Sequence, residues 1–196
     1  MKRYNLLFLT VIFVLFLSGC GSSRVDETTV TIKKNFSIEA AYVSDFDEEV
    51  YNSYLLEKEV KELVSEYNTK AESKNVSLKS LDVENNKAYA VFEFSSSDDY
   101  SRFNNEEMYA GLFSDALESG KVGSDRDVLT LDGKLSMTLG QAMSDKNASK
   151  YKICAITGQC VLVVKGKPVY KTEGITINES GEIRVDSEDT AYLIYE

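Results

Sequence analysis

The N-terminal apolar segment constrains the fold more than any other feature, because it predicts where along the chain the folded domain begins. Lys2 and Arg3 precede a twelve-residue uncharged run from Leu6 to Leu17. At about 1.5 Å per residue the run spans roughly 18 Å, whereas a bilayer core is about 30 Å thick. It is too short for a stable transmembrane helix and has the length of the apolar region of a signal peptide. The folded domain is therefore expected to begin after this segment.

The apolar run ends in Leu17-Ser18-Gly19-Cys20, which resembles the lipobox of bacterial lipoproteins. Small residues at 18 and 19 allow an extended backbone to enter a peptidase cleft, and the Cys20 thiol is the soft nucleophile that takes a diacylglyceryl group through a thioether. The resemblance implies recognition of Leu17, Ser18 and Gly19 by the lipoprotein signal peptidase, cleavage before Cys20, and lipidation of Cys20. Two acyl chains anchor a protein stably where one is marginal. The alternative is an ordinary secretory signal with a cysteine there by chance.

This interpretation divides the chain into three parts. Residues 1–19 are predicted to be a lipoprotein signal peptide and residues 20–28 a lipidated tether. Residues 29–196 are predicted to form an extracytoplasmic domain that can divide into lobes 29–120 and 128–196. A chain of this length buries enough surface to fold without a metal or a disulfide.

The charge of the chain bears on its partners. The formal net charge is −10, and removal of residues 1–19 takes away Lys2 and Arg3 and leaves −12. Nucleic acid is not an expected partner, because binding it requires a cationic surface that displaces counterions. An anionic leaflet would also repel the folded domain. The protein is expected on the outer face of the cytoplasmic membrane, where its partner is membrane lipid through acylated Cys20; a protein or cell-wall ligand is left open.

The mature chain begins with strand-forming residues and then becomes helical in pattern. Residues 29–42 are predicted as one strand, bent near residues 33–35. A helix is predicted from Asn52 or Ser53 to about Asn68, because apolar residues recur there every three or four positions. Those residues are Leu56, Val60, Leu63 and Tyr67, with Val64 beside them.

A hairpin is predicted next. Residues 76–83 and 87–95 flank Asn85-Asn86, and asparagine tolerates the positive φ that a tight hairpin turn needs. Alternation places Phe92 and Phe94 on one face of the second strand, where we expect them in the core. The opposite face carries Tyr89, Val91 and Glu93.

The second half is rich in short strands. A helix is predicted over residues 108–119, ended by Gly120. The predicted strands that follow cover residues 128–131, 151–157, 159–165, 169–172, 174–178, 182–185 and 191–195. The fold class is therefore predicted to be α+β, with an antiparallel sheet, one main amphipathic helix and a C-terminal β-meander.

Cys154 and Cys160 flank a potential turn at Thr157-Gly158. In a hairpin the two thiols would face each other, because directly opposed Cβ atoms lie about 4.5–5.5 Å apart. Oxidation is permitted in an exported protein. A structural disulfide and two free thiols are the two main alternatives. Redox or zinc chemistry has less support, since the C-x-x-C spacing and a second cysteine pair are both missing.

No catalytic or metal-binding residue set is predicted. The chain has no histidine, which excludes Ser-His-Asp and Cys-His catalysis and histidine-ligated metals. The acidic clusters lack calcium-loop spacing, and no phosphate-binding or dinucleotide motif is present. Ser149-x-x-Lys152 matches a short Ser-Lys motif, but its companion motifs are missing. No cofactor is expected.

Four short motifs resemble uncharacterised lipoproteins of Gram-positive, clostridia-type bacteria. The resemblance covers most of residues 28–196 and implies location and fold class, without an activity or a site. The matching residues are Thr29-Val30-Thr31-Ile32, Val64-Ser65-Glu66-Tyr67-Asn68, Tyr100-Ser101-Arg102-Phe103-Asn104 and Ala191-Tyr192-Leu193-Ile194-Tyr195.

Two functional hypotheses follow from these observations. The favoured one is a membrane-anchored extracytoplasmic lipoprotein that acts as a non-enzymatic binding or envelope-associated module. The alternative is a carboxylate-dependent wall-acting enzyme or enzyme accessory, which needs two acids converging about 5–9.5 Å apart in a cleft. An acid of raised pKa in a cleft would favour the enzyme, whereas a shallow tyrosine-lined groove or an open sheet edge would favour binding.

Overall fold

Strands of one sheet form most of the regular structure in residues 25–196, the part of the chain that the computed structural model describes. The strands are β1 (Thr29–Ile32), β2 (Ile38–Asp45), β3 (Val76–Glu84), β4 (Lys87–Phe94), β5 (Met108–Leu112), β6 (Asp127–Thr130), β7 (Ser136–Thr138), β8 (Lys152–Val164), β9 (Pro168–Lys171), β10 (Ile175–Ile177) and β11 (Ile183–Tyr195). The helices are α1 (Ser53–Lys70), α2 (Ser97–Asn104), α3 (Phe113–Glu118) and α4 (Leu139–Ala142), with a 3₁₀ turn at Ala148–Lys150.

The sheet has the strand order β3-β4-β2-β1-β8-β11-β9-β6-β7, with β10 paired to β11 and β5 paired to β8. β1 and β8 pair in parallel, and the other pairings are antiparallel. The predicted α+β class, its one main helix and its C-terminal meander are confirmed. Both predicted lobes contribute strands to this sheet, because β1 and β5 each pair with β8.

The predicted first strand is a hairpin rather than one bent strand. β1 and β2 pair along their length, with Thr29 opposite Ala41 and Ile32 opposite Ile38. The chain reverses at Phe36, whose φ is 63°, and the Asn35 side chain accepts a hydrogen bond from the Ser37 hydroxyl. The second predicted hairpin is confirmed: Asn85 and Asn86 have φ values of 55° and 58° between β3 and β4.

Helix α1 begins as predicted but presents a different apolar face. The Asn52 side chain accepts hydrogen bonds from the amides of Tyr54 and Leu55, which satisfies two free helix-start donors. Val60, Val64 and Tyr67 pack against the core. The prediction for Leu63 is wrong, because this side chain is 58% exposed. No residue of α1 is buried, so the helix lies on the surface of the sheet.

The helix predicted over residues 108–119 is wrong in its first half. Residues 108–112 form β5, which pairs with residues 152–156 of β8, and only residues 113–118 are helical. Pairing with a distant strand overrides the local helical pattern. Gly120 follows the end of α3 with a φ of 69°, as predicted for the glycine that ends a helix.

Two hydrophobic cores lie on opposite faces of β8 and β11. Successive strand residues point to opposite faces, so Cys154 and Leu193 enter the first core while Ile153 and Ile194 enter the second. The first core fills the inner face of β1, β2 and β4, and α1 and α2 pack beside it. The second core lies under α3 and α4. Among residues 25–196, no helix has the length and apolar character needed to cross a membrane.

Candidate functional site: the outer face of the sheet

The residues predicted to direct processing and lipidation lie outside the described part of the chain. Leu17, Ser18, Gly19 and Cys20 all precede residue 25. The structure does show where the chain enters the domain. Arg184 on β11 binds both carboxylate oxygens of Glu27, with N–O distances of 2.6 and 3.0 Å, and donates to Glu182 at 2.7 Å.

The end of the predicted tether is thus held against the sheet. The carbonyl of Thr28 accepts a hydrogen bond from the Val161 amide at 2.9 Å, and its hydroxyl accepts one from the Val43 amide at 3.3 Å. The pKa of Glu27 lies below its ordinary value, chiefly because Arg184 donates hydrogen bonds to the carboxylate. Residue 25 is therefore beside the N-terminal end of β1, and Cys20 precedes it by five residues, at most about 18 Å of extended chain.

The outer face of the sheet around this entry point is uncovered. On β1, β2 and β4 the inner face is packed, whereas the outward side chains are half-buried or exposed. One outward row crosses six strands in register, because each residue is the direct partner of the next. The row consists of Ser80, Val91, Ala41, Thr29, Val161 and Arg184.

A shallow cavity of about 290 Å³ lies on this face next to residue 25. Its lining includes the apolar residues Val25, Ala41, Ala90, Val91 and Val163, together with Tyr42 and a set of polar residues. The polar members are Thr29, Thr31, Glu39, Ser80, Asp82 and Tyr89. An apolar floor with spaced polar groups is the composition expected of a binding surface.

Four charged side chains form a network at one end of the outer face. Lys33 contacts Glu93 at 2.8 Å and Glu39 at 3.1 Å, and Lys79 contacts Glu93 at 3.0 Å. Hydrogen bonds from Lys33 and then Lys79 hold the pKa of Glu93 below its ordinary value. These charges are half-exposed and mutually paired, so the network orients the four side chains and contributes little to stability.

A second groove, of about 530 Å³, borders residues 26–28, through which the chain enters the domain. Its lining includes Glu27, Gln159, Cys160, Arg184 and Asp186. Gln159 donates to Asp186 at 2.8 Å, which joins β8 to β11 across the groove. Both grooves therefore border the N-terminal segment, residues 25–28.

The hairpin predicted between Cys154 and Cys160 is wrong. Residues 152–164 form the single strand β8, since β11 pairs with it on both sides of Gly158, which has a φ of 106°. Both cysteines are free thiols in the structure. Burial raises the pKa of both, that of Cys160 to about 12, so neither is a ready nucleophile near neutral pH.

Two observations on the described residues bear on acid–base and metal chemistry. Every carboxyl among residues 25–196 with a displaced pKa has it lowered, by hydrogen bonds that favour the charged form: Glu27, Glu93, Asp132 and Asp145. A general acid of the kind that the enzymatic alternative needs has a raised pKa instead. Within the same residues, no three cysteine or carboxylate side chains come together as metal ligands.

Comparison with known proteins finds no matching family model, no similar curated protein and no similar solved structure. The candidate site consequently rests on the geometry of this chain alone.

Part of the outer face follows from sequence pattern, and part does not. Alternation correctly places Tyr89, Val91 and Glu93 opposite Phe92 and Phe94. Arg184 was missed, because its partner Glu27 is 157 residues away and lies in a segment that we expected to be a polar tether. The only local indication that Arg184 faces outward is the alternation in β11, where Ile183 and Val185 on either side of Arg184 are buried.

Proposed function

We propose that this protein is a membrane-anchored extracytoplasmic lipoprotein, attached through acylated Cys20, whose outer sheet face binds a protein or cell-wall ligand. The observation that carries the binding role is the uncovered outer face of β4, β2 and β1, whose opposite face packs into the first core. The same face continues onto β8, where Val163, the partner of Thr31, is one of the nine exposed large hydrophobic residues within 25–196.

The position of the face supports its link with an anchor. Arg184 and Thr28 fix the chain entry beside both grooves, so a lipid on Cys20 would hold this surface close to the membrane. The acidic domain itself is repelled electrostatically by an anionic leaflet. The lipid would accordingly supply the attachment and the folded face would supply the recognition.

The anchor is tested with Cys20→Ala. We expect the wild-type protein to remain in the membrane fraction with the mass of a chain that starts at Cys20 and carries diacylglycerol. The variant should lose this mass and leave the membrane fraction, since the acyl chains provide most of the membrane affinity. Ser22→Ala, two residues further on, is the matched control and should behave as the wild type. A wild-type protein that keeps residues 1–19, or an unmodified Cys20 in the membrane, would contradict the proposal.

The binding face is tested with Val163→Glu. Val163 on the outer face is 41% exposed. Leu131 serves as the control, because it lies in the β6–β7 turn, away from this face, and has a similar exposure of 44%. Immobilised protein is incubated with purified cell-wall polymer and, separately, with detergent-solubilised membrane protein. We expect Val163→Glu to reduce saturable binding at least about tenfold, as a charge placed in an interface does, and Leu131→Glu to leave it unchanged. Equal retention by both variants would exclude the outer face.

A further inference from the structure

The two ends of α1 carry exposed apolar surface with opposite charge. The acidic end consists of residues 46–55, which precede and begin the helix. Val50, Tyr51, Tyr54 and Leu55 are 69%, 63%, 71% and 52% exposed, which places four of the large exposed hydrophobics of residues 25–196 in six positions. Phe46 and Tyr51 have ring centroids 5.8 Å apart, so the segment is an ordered surface.

The acidic charge of this end is free to take a partner. Asp47 is used inside the turn, where its carboxylate accepts from the Glu49 amide at 2.9 Å. Glu48 and Glu49 are exposed and form no ion pair with any other residue of the described chain.

The basic end is a groove of about 440 Å³ between α1 and α2. Its apolar floor is Leu63, Tyr67 and Phe103, and cations stand at its rim. The remaining lining residues are Glu66, Lys70, Ala71 and Arg102. We call this surface the cationic groove.

Lys70 and Arg102 form no ion pair within residues 25–196, although the protein has a large excess of acidic residues. Both lie in the last turn of their helices, where a cation is favoured by the helix dipole. The dipole accounts for the charges themselves. It does not account for the groove that they border or for the exposed Leu63 that lines the same groove.

The two surfaces cannot satisfy each other within one molecule. They lie at opposite ends of α1, whose 18 residues span about 27 Å. In two copies related by a two-fold axis across antiparallel α1 helices, the acidic end of each copy meets the cationic groove of the other. Both contacts then form at once, as an isologous interface requires.

The middle of α1 does not oppose this arrangement. Lys58 pairs with Glu62 at 3.6 Å and Lys61 pairs with Glu57 at 2.6 Å on the exposed surface. These pairs neutralise four of the six charges between the two ends. Glu59 and Glu66 stay without an ion pair within residues 25–196, so their repulsion has to be outweighed by the two contacts at the ends.

We infer that this protein forms a two-fold dimer with a second copy of itself, in which the acidic end at residues 46–55 docks in the partner's cationic groove. The inference does not depend on lipidation or on a ligand for the outer sheet face.

The test is a charge exchange, measured by sedimentation of protein expressed from the full chain, at about 50 mM salt. Glu48→Lys with Glu49→Lys reverses the acidic end, and Lys70→Glu with Arg102→Glu reverses the groove. Each double variant alone is expected to self-associate at least about tenfold more weakly than the wild type, because like charges then meet in both contacts. Mixing the two double variants should restore association to within about threefold of wild type, since opposite charges meet again at both ends.

Two controls make the result decisive. Lys146→Glu with Lys150→Glu changes the net charge by the same amount as the groove variant, at two exposed lysines outside both surfaces, and should leave association unchanged. Val50→Cys combined with Leu63→Cys should give an intermolecular disulfide, because the helix from Ser53 to Leu63 alone spans about 15 Å within one chain, well beyond disulfide reach. A monomeric wild type at 100 µM, or a mixture of the charge-reversed variants that stays as weak as each alone, would overturn the inference.

Discussion

Replacing Phe94 by alanine is expected to lower the free energy of unfolding by about 3–5 kcal/mol. Phe94 is completely buried on the inner face of β4. Its ring centroid lies 5.2 Å from that of Tyr100, 5.6 Å from that of Phe103 and 6.2 Å from that of Phe92. Removing the ring leaves a cavity where β4 and α2 meet, and these rigid neighbours can close it only partly. Urea unfolding followed by circular dichroism measures the change.

Two further variants keep this prediction testable if Phe94→Ala does not fold. Phe94→Leu retains most of the side-chain volume and is expected to cost about 1–2 kcal/mol. Leu131→Ala removes a side chain that is 44% exposed, so a change within about 0.5 kcal/mol is expected. A loss at Phe94→Ala no larger than that at Leu131→Ala would show that this aromatic cluster does not support the fold.

Replacing Asp99 by alanine is the second change expected to have a large effect, about 2–4 kcal/mol at pH 7. Asp99 is only 6% exposed, and its carboxylate accepts hydrogen bonds from three side chains. The donors are the Tyr67 hydroxyl at 3.0 Å, the Asn75 amide at 2.9 Å and the Ser96 hydroxyl at 2.6 Å. One carboxylate thus joins α1, the start of β3 and the N-terminus of α2, and its loss leaves these donors without their acceptor.

The neighbouring residue provides the matched control. Asp98 lies in the same first turn of α2, but its side chain is 55% exposed and contacts Lys121 at 3.3 Å. Asp98→Ala should change the free energy of unfolding by less than about 0.5 kcal/mol, because exposed ion pairs contribute little. Equal losses for Asp98→Ala and Asp99→Ala would mean that charge at the helix start matters more than the buried hydrogen bonds.

Features encoded by a few neighbouring residues could be predicted from the sequence. Asn52 at the start of α1, Asn85-Asn86 in the hairpin and Gly120 after α3 are local signals, and the structure confirms each of them. The inward direction of Phe92 and Phe94 also follows from simple alternation. The α+β class could be predicted because it depends only on the order of such elements.

Features that depend on distant pairing could not be predicted. Residues 108–112 have a helical pattern locally, but an open edge of β8 is available to them, and they become β5. Gly158 resembles a turn residue, yet β11 pairs on both sides of it and β8 continues through. Leu63 has helical spacing, but the sheet meets α1 through Val60, Val64 and Tyr67 and leaves Leu63 outside.

The candidate site was predictable to a similar extent. Cys20 and the residues before it form a local motif, and their role stays a prediction. The outer face requires the register of six strands, so neither the row from Ser80 to Arg184 nor the ion pair between Glu27 and Arg184 can be inferred from any single segment. The cationic groove likewise combines residues of α1 and α2.

The placement of β1 between β2 and β8 has a mechanical consequence. A load applied at residue 25 pulls along β1, whose neighbours are bonded to it on both sides. Such a load shears many hydrogen bonds together and cannot peel them apart one after another, and forced unfolding is governed by that kinetic barrier. If the chain is tethered through its N-terminus, a pulling force on the domain reaches the Glu27–Arg184 ion pair first and is then carried by the hydrogen bonds of β1.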